Sequence, residues 1–404
     1  MSAIRAAELA GILDSRGNLT VEATISLESG ATGRAGAPSG ASTGVHEVHA
    51  FPRGGVPEAV SRFRSRVAPH LIGLDARDQA GLDQRLTEVD GTPQFSEIGG
   101  NTATAVSIAN ALATASEAGR PLYEVLRRPG VEGTRFPAVV GNCLNGGRHA
   151  IGGPEFQEFI AFAEGRTIDE SVRAALDVHR RIGAELRRRL PTAALGRGDE
   201  GGWVAPLGSV DALEILVAAC AASRDELGIE VHPGLDLAAS EFFAKGRYRY
   251  RDRSLDPAEQ VRFVIDLVER YGIRYLEDPF DQEAFEEFAQ LSTAVGRSTL
   301  IVGDDIYVTQ EARVRRGLEV RATNAVLIKI NQVGTLSGAF ATVDYARTHG
   351  AQLIASHRSG ETPDSWLAHV ALGIGARGIK TGVLGGERVA KLNELLRLAR
   401  AHGA

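Results

Sequence analysis

In the second half of the chain, short apolar runs stop at ionisable residues. Leu235 leads into Asp236, Tyr275-Leu276 into Glu277, and Leu300-Ile301-Val302-Gly303 into Asp304. Ala325 to Ile328 leads into Lys329, and Leu353-Ile354-Ala355-Ser356 into His357-Arg358-Ser359. The intervals are about one strand–helix unit each. In a (β/α)₈ barrel the C-terminal strand ends converge on one face, which carries the chemistry. Asp236, Glu277 and Asp304 would then meet in space. Three carboxylates at one mouth repel one another unless a cation stands among them, and Mg²⁺ suits such oxygen donors. A single acid at a strand end is most simply a helix cap. Three in succession, followed by a lysine end and a His-Arg-Ser end, favour a site.

Only four of the 45 basic residues are lysine. Arginine stays protonated at ordinary pH, whereas a desolvated lysine can lose its proton and act as a base. Lys329 interrupts an apolar run, and Lys380 closes Gly378-Ile379-Lys380. A lysine so placed can equally turn to solvent, and the residues alone leave both readings open. Earlier segments add Asn145-Gly146-Gly147-Arg148-His149, Gln157-Glu158-Phe159 and Gly198-Asp199-Glu200-Gly201-Gly202. An acid bracketed by glycines can be approached closely by a ligand. Ser39-Gly40-Ala41-Ser42-Thr43-Gly44 has the small, hydroxyl-rich composition of a loop.

Elements able to position these residues are marked along the chain as well. Leu19, Val21, Ala23, Ile25 and Leu27 alternate with polar residues, as in a half-buried antiparallel strand. Glu28-Ser29-Gly30 can turn it into a hairpin with Ala31 to Ala37. Helical patterns follow over 60–71, 102–119 and 122–126, which together make an α+β domain over 1–132. From 133 to 404 short strands alternate with amphipathic helices, as in a parallel sheet or barrel. The helix predicted over Pro257 to Tyr271 has Asp256 as cap, Pro257 at its first position and Glu259 to complete a capping box.

The composition narrows the function classes. At 43% hydrophobic residues and a net charge of −6, the 404-residue chain reads as a globular protein and not as a nucleic-acid binder. Two cysteines, Cys143 and Cys220, form neither a disulfide framework nor a metal spacing. No run has signal-peptide or membrane-spanning character, so a cytoplasmic protein without membrane partners is expected.

In order along the chain, Leu13-Asp14-Ser15-Arg16-Gly17-Asn18, Pro38 to Gly44, Gln157-Glu158-Phe159, Gly198 to Gly202, Ser240-Glu241-Phe242-Phe243 and Glu277-Asp278-Pro279 resemble enolase signatures. So do Gly303-Asp304-Asp305, Lys329-Ile330-Asn331-Gln332, Ser356 to Thr362 and Ile379-Lys380-Thr381-Gly382. The resemblance implies a smaller α+β capping domain before a modified (β/α)₈ TIM-like barrel whose first units depart from βα order. It implies Mg²⁺-dependent, reversible dehydration of 2-phosphoglycerate to phosphoenolpyruvate. Asp236, Glu277 and Asp304 match the ligands of one structural Mg²⁺, and Ser42 sits on the lid loop that helps hold a second ion once substrate binds. Lys329 matches the base at C2, and Glu200, with Glu158 beside it, the acid at the C3 hydroxyl. His149, Gln157, His357, Arg358, Ser359 and Lys380 match substrate-contacting positions. For these roles Lys329 should have a lowered pKa and Glu200 a raised one. Glu22 and Arg397 match positions paired across the family's dimer interface, so a homodimer or an octamer is expected.

Some segments depart from the family pattern. Leu19 stands where Pro is usual, and the stretches His46 to Arg53, Gly99 to Thr104, Val140 to Leu144 and Leu384 to Glu387 are altered. These changes are expected to lie next to the site and not among the residues that touch substrate. They leave room for an enolase-like enzyme of the carboxyphosphonoenolpyruvate synthase type, acting in phosphonate or phosphinate biosynthesis. A non-catalytic binding protein is the reading from another class.

Overall fold

The alternation along Leu19–Leu27 becomes the middle strand of a three-stranded antiparallel meander: β1 (Ile4–Leu13), β2 (Leu19–Leu27) and β3 (Thr32–Gly36). Here and below, the computed structural model describes residues 2–40 and 44–403. Val21, Ala23, Ile25 and Leu27 are buried, as the pattern requires. They face the helix Gly100–Ala118, whose small residues let the sheet come close. A side chain at Gly33 would run into that helix's backbone at Ala109 and Ala113.

Two elements had no legible pattern. Strand β1 buries only Ile4 and Leu9, so its alternation is weak. The helix Gln79–Asp90 has few apolar residues and is held instead by Asp78, whose side chain accepts from Gly81 N. The helical pattern over 60–71 begins earlier, at Gly55, and contains a π-helical turn over Phe63–Val67. The Pro257–Tyr271 helix has the bounds and the capping box that its sequence predicts.

The second half closes into an eight-stranded barrel. Its strands are β4 (Ala138–Asn145), β5 (Glu158–Ala163), β6 (Val231–Asp236), β7 (Tyr275–Glu277), β8 (Leu300–Gly303), β9 (Ala325–Ile328), β10 (Gln352–Ser356) and β11 (Gly378–Gly382). Each pairs with the next, and β11 closes on β4. All pairings are parallel except those of β5, which runs antiparallel to both β4 and β6. The reason lies in the connection: a short loop, not a crossover helix, joins β4 to β5. The reversed strand therefore brings its first residue, Glu158, to the rim where the other strands end. The register sets Glu158 beside Asp236, and Asp236 beside Glu277. Val140, Ile160, Phe162, Tyr275, Val302, Leu327 and Ile354 fill the barrel below. Among the described residues no helix is long and apolar enough to cross a membrane.

Candidate active site

One cleft at this rim gathers His149, Gln157, Glu158, Glu200, Asp236, Asp304, Lys329, His357, Arg358, Ser359 and Lys380. Glu277 lies just beneath, reached through Lys380. Ser42 falls outside the described residues. The cleft is narrow and lined almost wholly by charged and hydrogen-bonding side chains, which suits a small charged metabolite and not a polymer.

The two lysines stand among the acids. Lys380 Nζ lies 2.7 Å from Glu277 Oε1, 3.0 Å from Asp236 Oδ2 and 3.1 Å from Glu158 Oε1. Lys329 is ion-paired with Asp304, whose other oxygen accepts from Gln332 Nε2 at 2.9 Å. Tyr275 Oη donates to Glu277 Oε2 at 2.5 Å, and Gln157 Nε2 to Asp236 Oδ2 at 3.3 Å. Burial is the largest influence on the Lys329 amine and lowers its affinity for protons, as do Arg358 and Lys380, but the surrounding acids, Asp304 first and then Glu277, together outweigh them. Its pKa is thus raised, contrary to the lowered value expected from sequence, because Asp304 touches it more closely than either cation does.

Acid charge still exceeds base charge. Burial and then the charge of Asp236 push Glu277 up to about 8. Asp305 is likewise pushed up to about 8, by burial and the neighbouring Asp304, and Asp278 is raised well above the carboxylate range. A buried all-oxygen donor set with surplus negative charge fits a hard divalent cation. Among the described residues, the groups whose ligand atoms lie within 4.8 Å of one another are Asp278, Asp304 and Asp305, and separately His149, Glu158 and Glu200. The trio expected from sequence, Asp236, Glu277 and Asp304, is not such a group: Lys380 pairs with the first two and Lys329 with the third.

Beyond Lys380, which touches Glu158, His149 Nδ1 stands 3.6 Å from Glu158 Oε1 and 3.7 Å from Glu200 Oε1. His149 Nδ1, Glu158 Oε2 and Gln157 Oε1 are buried atoms without a hydrogen-bond partner. Such atoms are costly unless a ligand meets them. Burial, then the charge of Glu200, raises Glu158 well above the carboxylate range. Burial pushes Glu200 up as well, but hydrogen bonds from His357 and Asn142 and the charge of Arg388 favour its carboxylate, so Glu200 is lowered while Glu158 is raised. The raised pKa expected at Glu200 is therefore found on Glu158. Two carboxyls this close share one proton, and Glu158 has fewer polar neighbours to stabilise its charge.

Several side chains at the site were missed in the sequence. Glu47 grips the Arg358 guanidinium with both oxygens, at 2.9 and 3.1 Å, and its Oε1 accepts from Gly44 N at 3.0 Å. Asn142 donates to Glu200 Oε2 at 2.9 Å. Both belong to altered stretches, which lie next to the site and there contact Arg358 and Glu200 without lining the cleft. Arg388 is wholly buried behind His357 and Arg358. Lys391, a third buried lysine, pairs with Glu361 at 2.7 Å. Rare lysine was the available signal for Lys391; nothing set Arg388 apart from the other arginines.

The fold and this rim define a TIM-barrel enzyme whose carboxylates and amines meet over one small cleft. Residues 4–126 match the family profile described as "Enolase, N-terminal domain", and residues 134–404 match "Enolase, C-terminal TIM barrel domain". A curated protein named Enolase from Methanothermobacter thermautotrophicus is 48% identical over 393 residues, covering 96% of this chain and 94% of its own. Others of that name, from Methanocorpusculum labreanum and Natronomonas pharaonis, are 46% and 45% identical. They cover 96% of each chain in the first case, and 98% of this chain and 99% of the relative in the second. The chain belongs to the enolase family and is a lyase of that family. Membership implies a metal cofactor, which the acidic rim is suited to hold.

Proposed function

We propose that this enzyme reversibly dehydrates 2-phosphoglycerate to phosphoenolpyruvate. The observation that carries the reading is the make-up of the cleft: an amine, Lys329, and a close Glu158–His149–Glu200 group line the same small space. Dehydration of a β-hydroxy acid needs both, because a proton leaves C2 as hydroxide leaves C3. Lys329, once freed of its proton, takes the proton from C2. The Glu158–His149–Glu200 group supplies the proton with which the C3 hydroxyl departs as water. Lys380 and Gln157 face the substrate carboxylate, and Arg358 with Ser359 and His357 receives the phosphate. Bound by Asp236, Glu277 and Asp304, Mg²⁺ would supply positive charge against the ene-diolate, with a second ion at Ser42 on substrate binding. A lysine or histidine base working beside one or two Mg²⁺ ions is the general arrangement of the enolase superfamily.

Ultraviolet absorbance of the enol phosphate during incubation with 2-phosphoglycerate and Mg²⁺ tests this reading. Rapid turnover that a chelator stops and Mg²⁺ restores is expected. Tight binding with weak turnover would instead favour the carboxyphosphonoenolpyruvate synthase type. Neither binding nor turnover would leave the non-catalytic reading. A cytoplasmic homodimer or octamer acting on a small phosphorylated carboxylate, with no nucleic-acid or membrane partner, completes the proposal.

A further inference from the structure

We propose that Arg388 is a positioning residue that sets the tautomer of His357 and ties the Glu200 loop to the Arg358–Ser359 loop. Its mechanistic meaning rests on the function proposed above. Arg388 lies in the first turn of the helix Gly386–Ala401, behind the cleft, with 0% of its surface exposed. Its Nη1 donates to His357 Nδ1 at 2.8 Å and to the Arg358 carbonyl at 2.5 Å. Its Nη2 donates to the carbonyls of Ser359 at 2.6 Å and Asp199 at 3.1 Å.

A guanidinium can only donate. His357 Nδ1 must therefore accept, which leaves the proton of the neutral ring on Nε2. Burial pushes His357 to about 4, so the ring is neutral at ordinary pH. Nε2 stands 3.2 Å from Glu200 Oε2, so an N–H and not a lone pair faces the carboxylate. The same guanidinium spans two loops that are remote in sequence, one beside Glu200 and one carrying the anion-binding Arg358. A residue that only filled the core would not need donors aimed at both. One turn along the helix, Lys391 Nζ donates to the Thr362 carbonyl at 2.8 Å, giving the second loop another anchor.

Nitrogen-15 NMR of the full chain labelled at histidine reads the tautomer without turnover, and His357→Gln assigns the signal. The wild type is expected to show the Nε2–H tautomer alone, and Arg388→Met a mixture. Arg388→Met should lower kcat for dehydration by about 10²-fold, and Arg388→Lys by about tenfold, through misplacement of the two loops. Exchange of the C2 proton, carried by Lys329, should stay within about threefold of wild type in both. A wild-type Nδ1–H tautomer overturns the proposal. So does an unchanged kcat in Arg388→Lys, which settles the matter if Arg388→Met does not fold. Equal loss of exchange and dehydration in a folded variant would also overturn it, as that marks general disruption. A wild type unable to turn over 2-phosphoglycerate would refute the proposed function instead, while the tautomer measurement would still judge Arg388.

Discussion

In the proposed reaction Lys329 and the Glu158–Glu200 pair have separate tasks in one cleft, so their variants should fail in different ways. Lys329→Ala is expected to reduce exchange of the C2 proton with solvent by about 10³-fold while fold and metal binding persist. Glu200→Gln should block dehydration yet keep part of that exchange. Deuterium incorporation into 2-phosphoglycerate, followed by mass spectrometry, separates the two. Retained exchange in Lys329→Ala would remove it as the base, and equal loss of both activities in Glu200→Gln would end the division of roles. Most of the residues that line the cleft could be picked out in sequence, because several close apolar runs, as Asp236, Asp304 and Lys329 do, and Glu200 sits in a glycine-rich stretch. Their protonation could not. It depends on contacts between distant segments, such as Lys329 with Asp304 and Glu158 with Glu200.

Among the elements, β11 and the Glu200 loop meet most closely. A side chain at Gly382 would run into the Glu200 carbonyl. Gly382→Ala should therefore displace the loop and lower kcat by about tenfold or more, with a smaller effect on KM. Steady-state kinetics on a variant that melts like wild type checks this, and unchanged kcat would show that the loop can yield. The helix Ile168–Arg189 supports the same loop from behind: His179 Nε2 bonds the Gly201 carbonyl at 3.0 Å and its ring stacks on Trp203. Burial lowers the His179 pKa from 6.5 to about 4, against the opposing bond to Gly201. Below about pH 6.5 the unfolded chain thus binds the extra proton, and stability falls as pH drops toward 4. This contributes at most about 1.4 kcal/mol per pH unit and is absent above about pH 6.5. Urea denaturation between pH 7 and 5 should show a shallower slope in His179→Gln; an identical slope would place the titration elsewhere. The well-capped Pro257–Tyr271 helix was readable to its ends because its signals are local. Strand β1 was not, since most of its side chains face partners that only the meander supplies.

Polar contacts, some of them buried, join the two halves of the molecule. Ser337 N and Oγ donate to Asp83 at 2.9 and 2.6 Å, Thr104 Oγ1 donates to the Gly334 carbonyl at 3.0 Å, and Asn331 Nδ2 to that of Pro38 at 3.0 Å. Ser39 forms a β-bridge with Gly360, which sets the base of the Ser39–Gly44 loop against the anion-binding loop. Assembly belongs to this scale as well. Within one chain Glu22 reaches Arg34 at 3.6 Å and Arg397 reaches Glu394 at 2.7 Å. Leu13 and Leu19, cross-strand neighbours on the same meander, are 63% and 54% exposed, an apolar pair that a second copy could cover. Light scattering is expected to give twice the 42.9 kDa chain mass for the wild type and a lower mass for Glu22→Leu. An unchanged mass in that variant would remove the pair from the interface.

Strand-end chemistry, the alternating halves of the chain and the identity of the acids and amines could all be read along the sequence, because periodicity and side-chain type are local properties. The reversal of β5, the grip of Glu47 on Arg358, the burial of Arg388 and the choice of which carboxyl keeps the proton came from the folded chain. Each depends on distance and desolvation between segments far apart in order, and neither quantity exists until the barrel closes.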